Sequence, residues 1–144
     1  MNTTGDYVEF ETTVTKKMMQ DYGCLFHDFS SLHYDDEFAK EVGFNSRVVQ
    51  GGLISCLIIK CISETFGDST ILKSHYVEFM KPIYPEQVFK IRLTIIKNIR
   101  NRLMQLETKI LIEDVQYFRG FSKIRIAKDL IQDYFLEYSK YCMN

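Results

Sequence analysis

The sequence predicts an α+β protein in which a curved antiparallel sheet wraps around one long central helix. Residues 52–66 are apolar around almost the whole circumference of a helix, which is typical of a buried helix. After them, stretches of the chain alternate apolar and polar side chains, as antiparallel strands with one wet face do. One sheet covers only one side of such a helix. We therefore expect a homodimer, in which a second copy covers much of the rest.

Length and charge narrow the possible partners. With 144 residues the chain is long enough for one sizeable core, and we expect residues 1–144 to form a single domain. Hydrophobic residues make up 46% of the chain, which argues against disorder. A net charge of -1 gives no electrostatic basis for binding nucleic acid or an anionic membrane. The expected partner is a small molecule or another copy of the chain.

The cysteines and the first residues favour a cytoplasmic protein. None of the four cysteines forms a CxxC pair, and Cys56 and Cys61 are expected in the core as reduced thiols. The first ten residues are polar and acidic, unlike a secretion signal. The longest apolar run, 53–62, is far shorter than the roughly 20 residues that span a bilayer.

The first half of the chain contains one predicted strand and two predicted helices. Residues 7–14 alternate and predict a strand, while residues 16–26 return apolar side chains to the core without a clear period. Residues 34–42 predict a short helix that ends at Gly43. The central helix, 52–66, would be about 22 Å long and end at Gly67.

The second half predicts a meander of strands followed by a helix. The strands cover 71–80, 89–95, 104–112 and 117–126. Gly120 inside the last strand predicts a bulge or a close approach to the backbone. Residues 128–141 have apolar side chains at helical spacing and predict an amphipathic C-terminal helix docked on the body or on a partner subunit.

A polar cluster precedes the central helix and resembles a known signature. Residues 28–35 read DFSSLHYD and residues 48–53 read VVQGGL. Together they resemble the signature of the MaoC-like, (R)-specific enoyl-CoA hydratase family, D-x-N-P-x-H-x-D followed by Ala, Gly-Phe and a His-Gly pair. Phe79, Pro82 and Pro85 resemble its F-x-x-P-x-x-P. The resemblance covers residues 28–126 and implies the hot-dog fold, usually dimeric.

The resemblance implies hydration of a 2-enoyl thioester or its reverse, dehydration, without a metal or a cofactor. Asp28 and His33 match the family's catalytic pair, which holds one water and shares base and acid duty. The thioester oxygen would accept the backbone N–H of Gly51. Gln50 and Ser30 are further candidate substrate-binding residues. Acyl-CoA is the expected carrier by resemblance, with acyl carrier protein as the alternative.

Two departures from the signature leave other functions open. Ser30-Ser31 stands where the family has Asn-Pro, and Gln50 stands where it has His. The alternatives are a hot-dog thioesterase and a non-catalytic acyl-thioester-binding or structural protein. Taken singly, Asp28 is typical of a turn, His33 of a hydrogen-bonded structural histidine, and the Gly51-Gly52 pair of a crowded helix entry.

Overall fold

The computed structural model describes residues 3–99 and 102–127 of the chain. These residues form five strands and four helices. In chain order the elements are β1 (Tyr7–Thr13), α1 (Lys16–Phe26), α2 (Ser31–Tyr34), α3 (Asp36–Glu41), α4 (Gly51–Phe66), β2 (Thr70–Phe79), β3 (Val88–Ile99), β4 (Leu103–Ile112) and β5 (Val115–Ile126).

The strands form one antiparallel sheet in the order β1-β3-β4-β5-β2. The predicted meander is confirmed for β3, β4 and β5. Glu113 and Asp114 join β4 to β5 with φ values of 49° and 61°, as a two-residue hairpin turn with two left-handed residues requires. The prediction that β2 continues the meander into β3 is wrong, because β2 crosses to the far edge and pairs with β5.

The predicted sheet around one long helix is confirmed. The buried face of α4 contacts the apolar face of the sheet in one core. Its contribution is Leu53, Ile54, Ile58, Cys61 and Ile62. Cys56 is exposed rather than buried, because it lies on the outer side of α4 near Gly52 and Lys60. The outer side of the helix is thus more exposed than its nearly all-round apolar pattern predicts.

The segment before α4 is more helical than the sequence predicts. Residues 16–26 form α1, whose N-terminus is capped by the Thr15 hydroxyl accepting from the Met18 amide at 3.1 Å. The helix predicted over residues 34–42 is two helices. Asp35 ends α2 and caps α3, because its carboxylate accepts from the Glu37 and Phe38 amides.

Other predictions have mixed outcomes. Gly120 marks a close approach, since a methyl group there would lie 2.9 Å from the Tyr76 carbonyl oxygen. The predicted C-terminal helix, 128–141, lies outside the described residues. Within the described ranges, every helix is too short or too polar to cross a bilayer.

Candidate active site

Asp28 is placed by the end of α1. His27 ends that helix in a left-handed conformation with φ of 55°, and the Gly23 carbonyl accepts the amides of both His27 and Asp28, the latter at 3.2 Å. This fixes the half-buried Asp28 at the point where the chain leaves α1 and enters α2. Both Asp28 and His33 lie in the described part of the chain, and their side chains make no direct hydrogen bond to each other.

His33 is held in one orientation by the segment that leads into α4. Its Nδ1 lies 2.7 Å from the Val48 carbonyl oxygen. A carbonyl can only accept, so Nδ1 carries the proton and the other ring nitrogen, Nε2, keeps its lone pair in the neutral ring. The Val48 amide in turn donates to the Leu32 carbonyl at 3.1 Å. The pairing of these two segments thus fixes the tautomer of His33.

Gln50 is fully buried and its amide bonds within the protein. Its Nε2 donates to the Tyr34 hydroxyl at 2.8 Å and to the Met19 carbonyl at 3.2 Å. The Tyr34 hydroxyl donates to the same carbonyl at 2.7 Å. This network ties α1 and α2 to the start of α4. The Gln50 Oε1 is buried without a donor among the described residues.

No side chain in the described ranges caps the N-terminus of α4, since the Gln50 side chain makes no capping bond. The first amides of a helix have no partner within the helix, and they carry partial positive charge. The Phe79 ring covers Gly51 so closely that a methyl group there would lie 2.7 Å from its Cζ. A side chain at position 51 would therefore require the Phe79 ring to move.

An apolar groove of about 470 Å³ begins at Gly51. It is lined by Val48, whose carbonyl holds His33, and by residues of α4 and of the segment after β2. Apolar side chains form most of its walls, with Lys81 among them. The lining residues are Phe44, Val48, Val49, Gly51, Ile54, Phe79, Met80, Lys81, Pro82 and Ile83. Its size falls within the range of small-molecule sites.

Two tyrosines that the sequence analysis did not single out lie beside Asp28. Burial raises the pKa of Tyr22 and of Tyr34, and the Asp28 carboxylate raises both pKa values further. Both tyrosines are close to Asp28 because the end of α1 packs on α2 and on α4. A helical reading of residues 16–26 would have placed Tyr22 one turn before Phe26, on the same face of the helix.

The remaining candidate, Ser30, is exposed at the N-terminus of α2, and its hydroxyl makes no capping bond. Its carbonyl accepts the His33 amide at 2.9 Å. In the described ranges, no three His, Cys, Asp or Glu side chains are grouped to hold a metal. The arrangement therefore offers a carboxylate, an imidazole with a free nitrogen and helix amides without a side-chain cap, and of these groups only Gly51 lines the apolar groove.

Comparison with known proteins identifies a family match and two similar plant proteins. Residues 1–115 match the family model described as MaoC like domain. The chain is 30% identical over 80 residues to an Arabidopsis thaliana protein named 3-hydroxyacyl-[acyl-carrier-protein] dehydratase, mitochondrial, covering 56% of this chain and 48% of the relative. It is 32% identical over 96 residues to the Solanum lycopersicum dehydratase FERN, also named as mitochondrial, covering 65% and 58%. The chain spans about half the length of these curated relatives.

Solved structures with the same fold support the architecture. The R-hydratase PhaJ1 from Pseudomonas aeruginosa superposes with a TM-score of 0.80 at 19% identity, covering 88% of this chain and 83% of the other. The (R)-hydratase from A. caviae gives 0.80 at 17% identity, covering 87% and 97%. At such identities the likeness concerns the fold alone. It confirms the hot-dog fold.

Proposed function

The chain belongs to the family of MaoC-like domains, and from this we propose that it is a lyase that interconverts 3-hydroxyacyl and 2-enoyl thioesters by removing or adding water. The names of the two plant relatives support the reaction class. The observation that carries the proposal is the bond from His33 Nδ1 to the Val48 carbonyl. It leaves Nε2 free to exchange a proton and ties His33 to the segment that leads into α4.

The proposed dehydration needs a base, an acid and stabilisation of an oxyanion. A base removes one proton from C2 of the 3-hydroxyacyl thioester, and the negative charge passes to the thioester oxygen. The C3–O bond then breaks, the C2–C3 double bond forms, and the hydroxyl leaves as water after receiving a proton. Asp28 and His33 share these proton transfers in our proposal. Hydration is the same sequence in reverse.

The Gly51 amide is the proposed donor to the thioester oxygen. One such donor is typically worth about 3 to 4 kcal/mol of transition-state stabilisation. Gln50 has a positioning role in this scheme, because its buried amide holds α1 and α2 against the start of α4. Ser30 stays a candidate for substrate contact, since it is exposed beside Asp28.

The groove next to Gly51 suits an apolar acyl chain, and the carrier is the less constrained part of the substrate. The relatives' names favour acyl carrier protein, whereas the sequence analysis favours acyl-CoA. A cytoplasmic location likewise stays a prediction, because both relatives are named as mitochondrial.

To test the proposal, purified protein is incubated with 2-enoyl and 3-hydroxyacyl thioesters of coenzyme A and of acyl carrier protein. Change in the conjugated double bond and release of free thiol are measured together. Asp28→Asn and His33→Gln should each lower kcat by about 10²- to 10⁴-fold. The matched controls are Asp21→Asn, on the exposed side of α1, and His27→Asn, because asparagine tolerates the left-handed backbone there.

Each alternative function has its own result. Thiol release without a change in the double bond would assign a thioesterase. Binding of the thioester without turnover would assign a non-catalytic role. Full activity in both Asp28→Asn and His33→Gln would remove these residues from the mechanism.

A further inference from the structure

The Tyr22 hydroxyl lies directly on the N-terminal turn of α4. Tyr22 belongs to α1, and its phenol oxygen contacts Gly52 so closely that a methyl group on Gly52 would overlap it. The ring packs on Phe26, with ring centroids 4.7 Å apart. The ring thus places a hydroxyl beside the amide groups that are proposed to receive the thioester oxygen.

This hydroxyl is free to bind a ligand. Among the described residues, none donates to it or accepts from it, although the side chain is half-buried. Tyr34 is the contrasting case, since its hydroxyl is used twice, by the Met19 carbonyl and by Gln50. The two tyrosines therefore differ in role. The Tyr34 hydroxyl is occupied by hydrogen bonds within the protein, whereas the Tyr22 hydroxyl is an available donor.

The surroundings keep the Tyr22 phenol protonated. Burial raises its pKa above the ordinary value, and the nearby Cys56 and Asp28 add to the shift. The hydroxyl is therefore a hydrogen-bond donor throughout the neutral range. It lies close to the Asp28 carboxylate, which is proposed to transfer protons, and to the start of α4, which is proposed to bind the thioester oxygen.

We propose that the Tyr22 hydroxyl donates a hydrogen bond to the thioester oxygen of the substrate, beside the first amides of α4. This inference rests on the proposed function, because it assigns a second donor to the oxyanion that forms in that reaction. A phenol fixed in place before the substrate binds costs no reorganisation when charge develops on the oxygen. Tyr22 is then a catalytic residue that α1 supplies.

The test is Tyr22→Phe, which removes the oxygen and keeps the ring on Phe26. We expect kcat to fall about 10- to 100-fold with a smaller change in KM, because the donor acts mainly on the charged transition state. Tyr7→Phe, on the exposed outer strand β1, is the matched control. Thermal unfolding of both variants shows whether the fold is kept.

The outcomes separate this inference from the proposed function. If the wild type turns over and Tyr22→Phe equals it, the Tyr22 inference is overturned while the proposed function stands. If the wild type binds a saturated acyl thioester without turnover, the affinity of Tyr22→Phe decides, and an equal affinity overturns the inference. If the wild type neither binds nor turns over thioesters, both proposals fail together.

Discussion

Asp36 and Arg47 form an ion pair that supports the position of His33. The Asp36 carboxylate accepts from the Arg47 backbone amide at 2.9 Å and from its Nε and Nη2 at 3.0 and 2.7 Å. Arg47 precedes Val48, whose carbonyl holds His33. The pair therefore closes the loop between α3 and α4 and fixes the backbone next to the site.

This pair predicts a pH dependence of stability. Hydrogen bonds from the Arg47 side chain and backbone lower the pKa of Asp36 well below its usual range. A lowered folded-state pKa means that the pair stabilises the fold above the ordinary aspartate value, about 4, and that this contribution is lost as the pH falls further. Asp36→Asn should lower Tm at pH 7, and the difference from the wild type should shrink at pH 3. An equal difference at both pH values would contradict this.

At the residue scale, the resemblance to the family signature selects Asp28, His33 and Gly51, and their roles stay predictions. The burial of Gln50 could not be predicted, since its two partners come from α1 and α2 through packing. Tyr22 was not singled out, because residues 16–26 were not predicted to form a helix and its contact with Gly52 comes from packing.

At the scale of elements, two glycines set the packing of α1. The Tyr34 hydroxyl lies against Gly23 of α1, and the Tyr22 hydroxyl lies against Gly52 of α4. Each glycine lets a tyrosine from a neighbouring element reach the backbone. These contacts hold α1 between α2 and α4, with Asp28 at its end.

Gly23→Ala tests this packing. In a helix, alanine ordinarily stabilises by up to about 1 kcal/mol over glycine. Here the added methyl group would overlap the Tyr34 hydroxyl, which Met19 and Gln50 hold in place, and would lie 3.0 Å from the Asp28 carbonyl oxygen. We expect a net loss of about 1 to 3 kcal/mol in the free energy of unfolding, measured by urea denaturation. Gln20→Ala, on the exposed side of α1, is the control and should change stability little; a stabilised Gly23→Ala would refute the contact.

The strands show how far sequence predicts elements and where it stops. Alternation located β3, β4 and β5 because one face of each strand meets the core and the other meets water. It could not predict that β2 pairs with β5, since strand order depends on how the chain crosses α4 and not on the local pattern. The Asp35 cap that splits α2 from α3 was readable, but its two neighbouring helices are too short to show a period.

At the scale of the whole molecule, the two sheet edges differ. The edge strand β1 carries Glu9 and Glu11, charges that discourage pairing with another chain. The edge strand β2 is ten residues long and carries exposed apolar side chains along its length. These are Ile71, Leu72, Tyr76 and Phe79. An edge of this kind is usually covered in the native protein.

We therefore expect the purified protein to be a homodimer that pairs through β2. Leu72→Lys combined with Tyr76→Lys should shift the mass measured by light scattering from dimer to monomer, because charges on an edge strand block pairing. Val88→Lys places the same charge at an exposed apolar position on β3, which is flanked by β1 and β4, and should leave the dimer intact. A monomeric wild type at micromolar concentration would contradict the prediction.

Phe79 belongs both to the β2 edge and to the groove, since it ends strand β2 and its ring covers Gly51. If subunit association and substrate binding both depend on the position of this ring, the two equilibria are thermodynamically linked. A thioester that binds the dimer more tightly than the monomer would then lower the dissociation constant of the dimer. Dimer formation would lower the dissociation constant of the thioester by the same factor. Specific activity would in consequence fall on dilution, before any unfolding occurs.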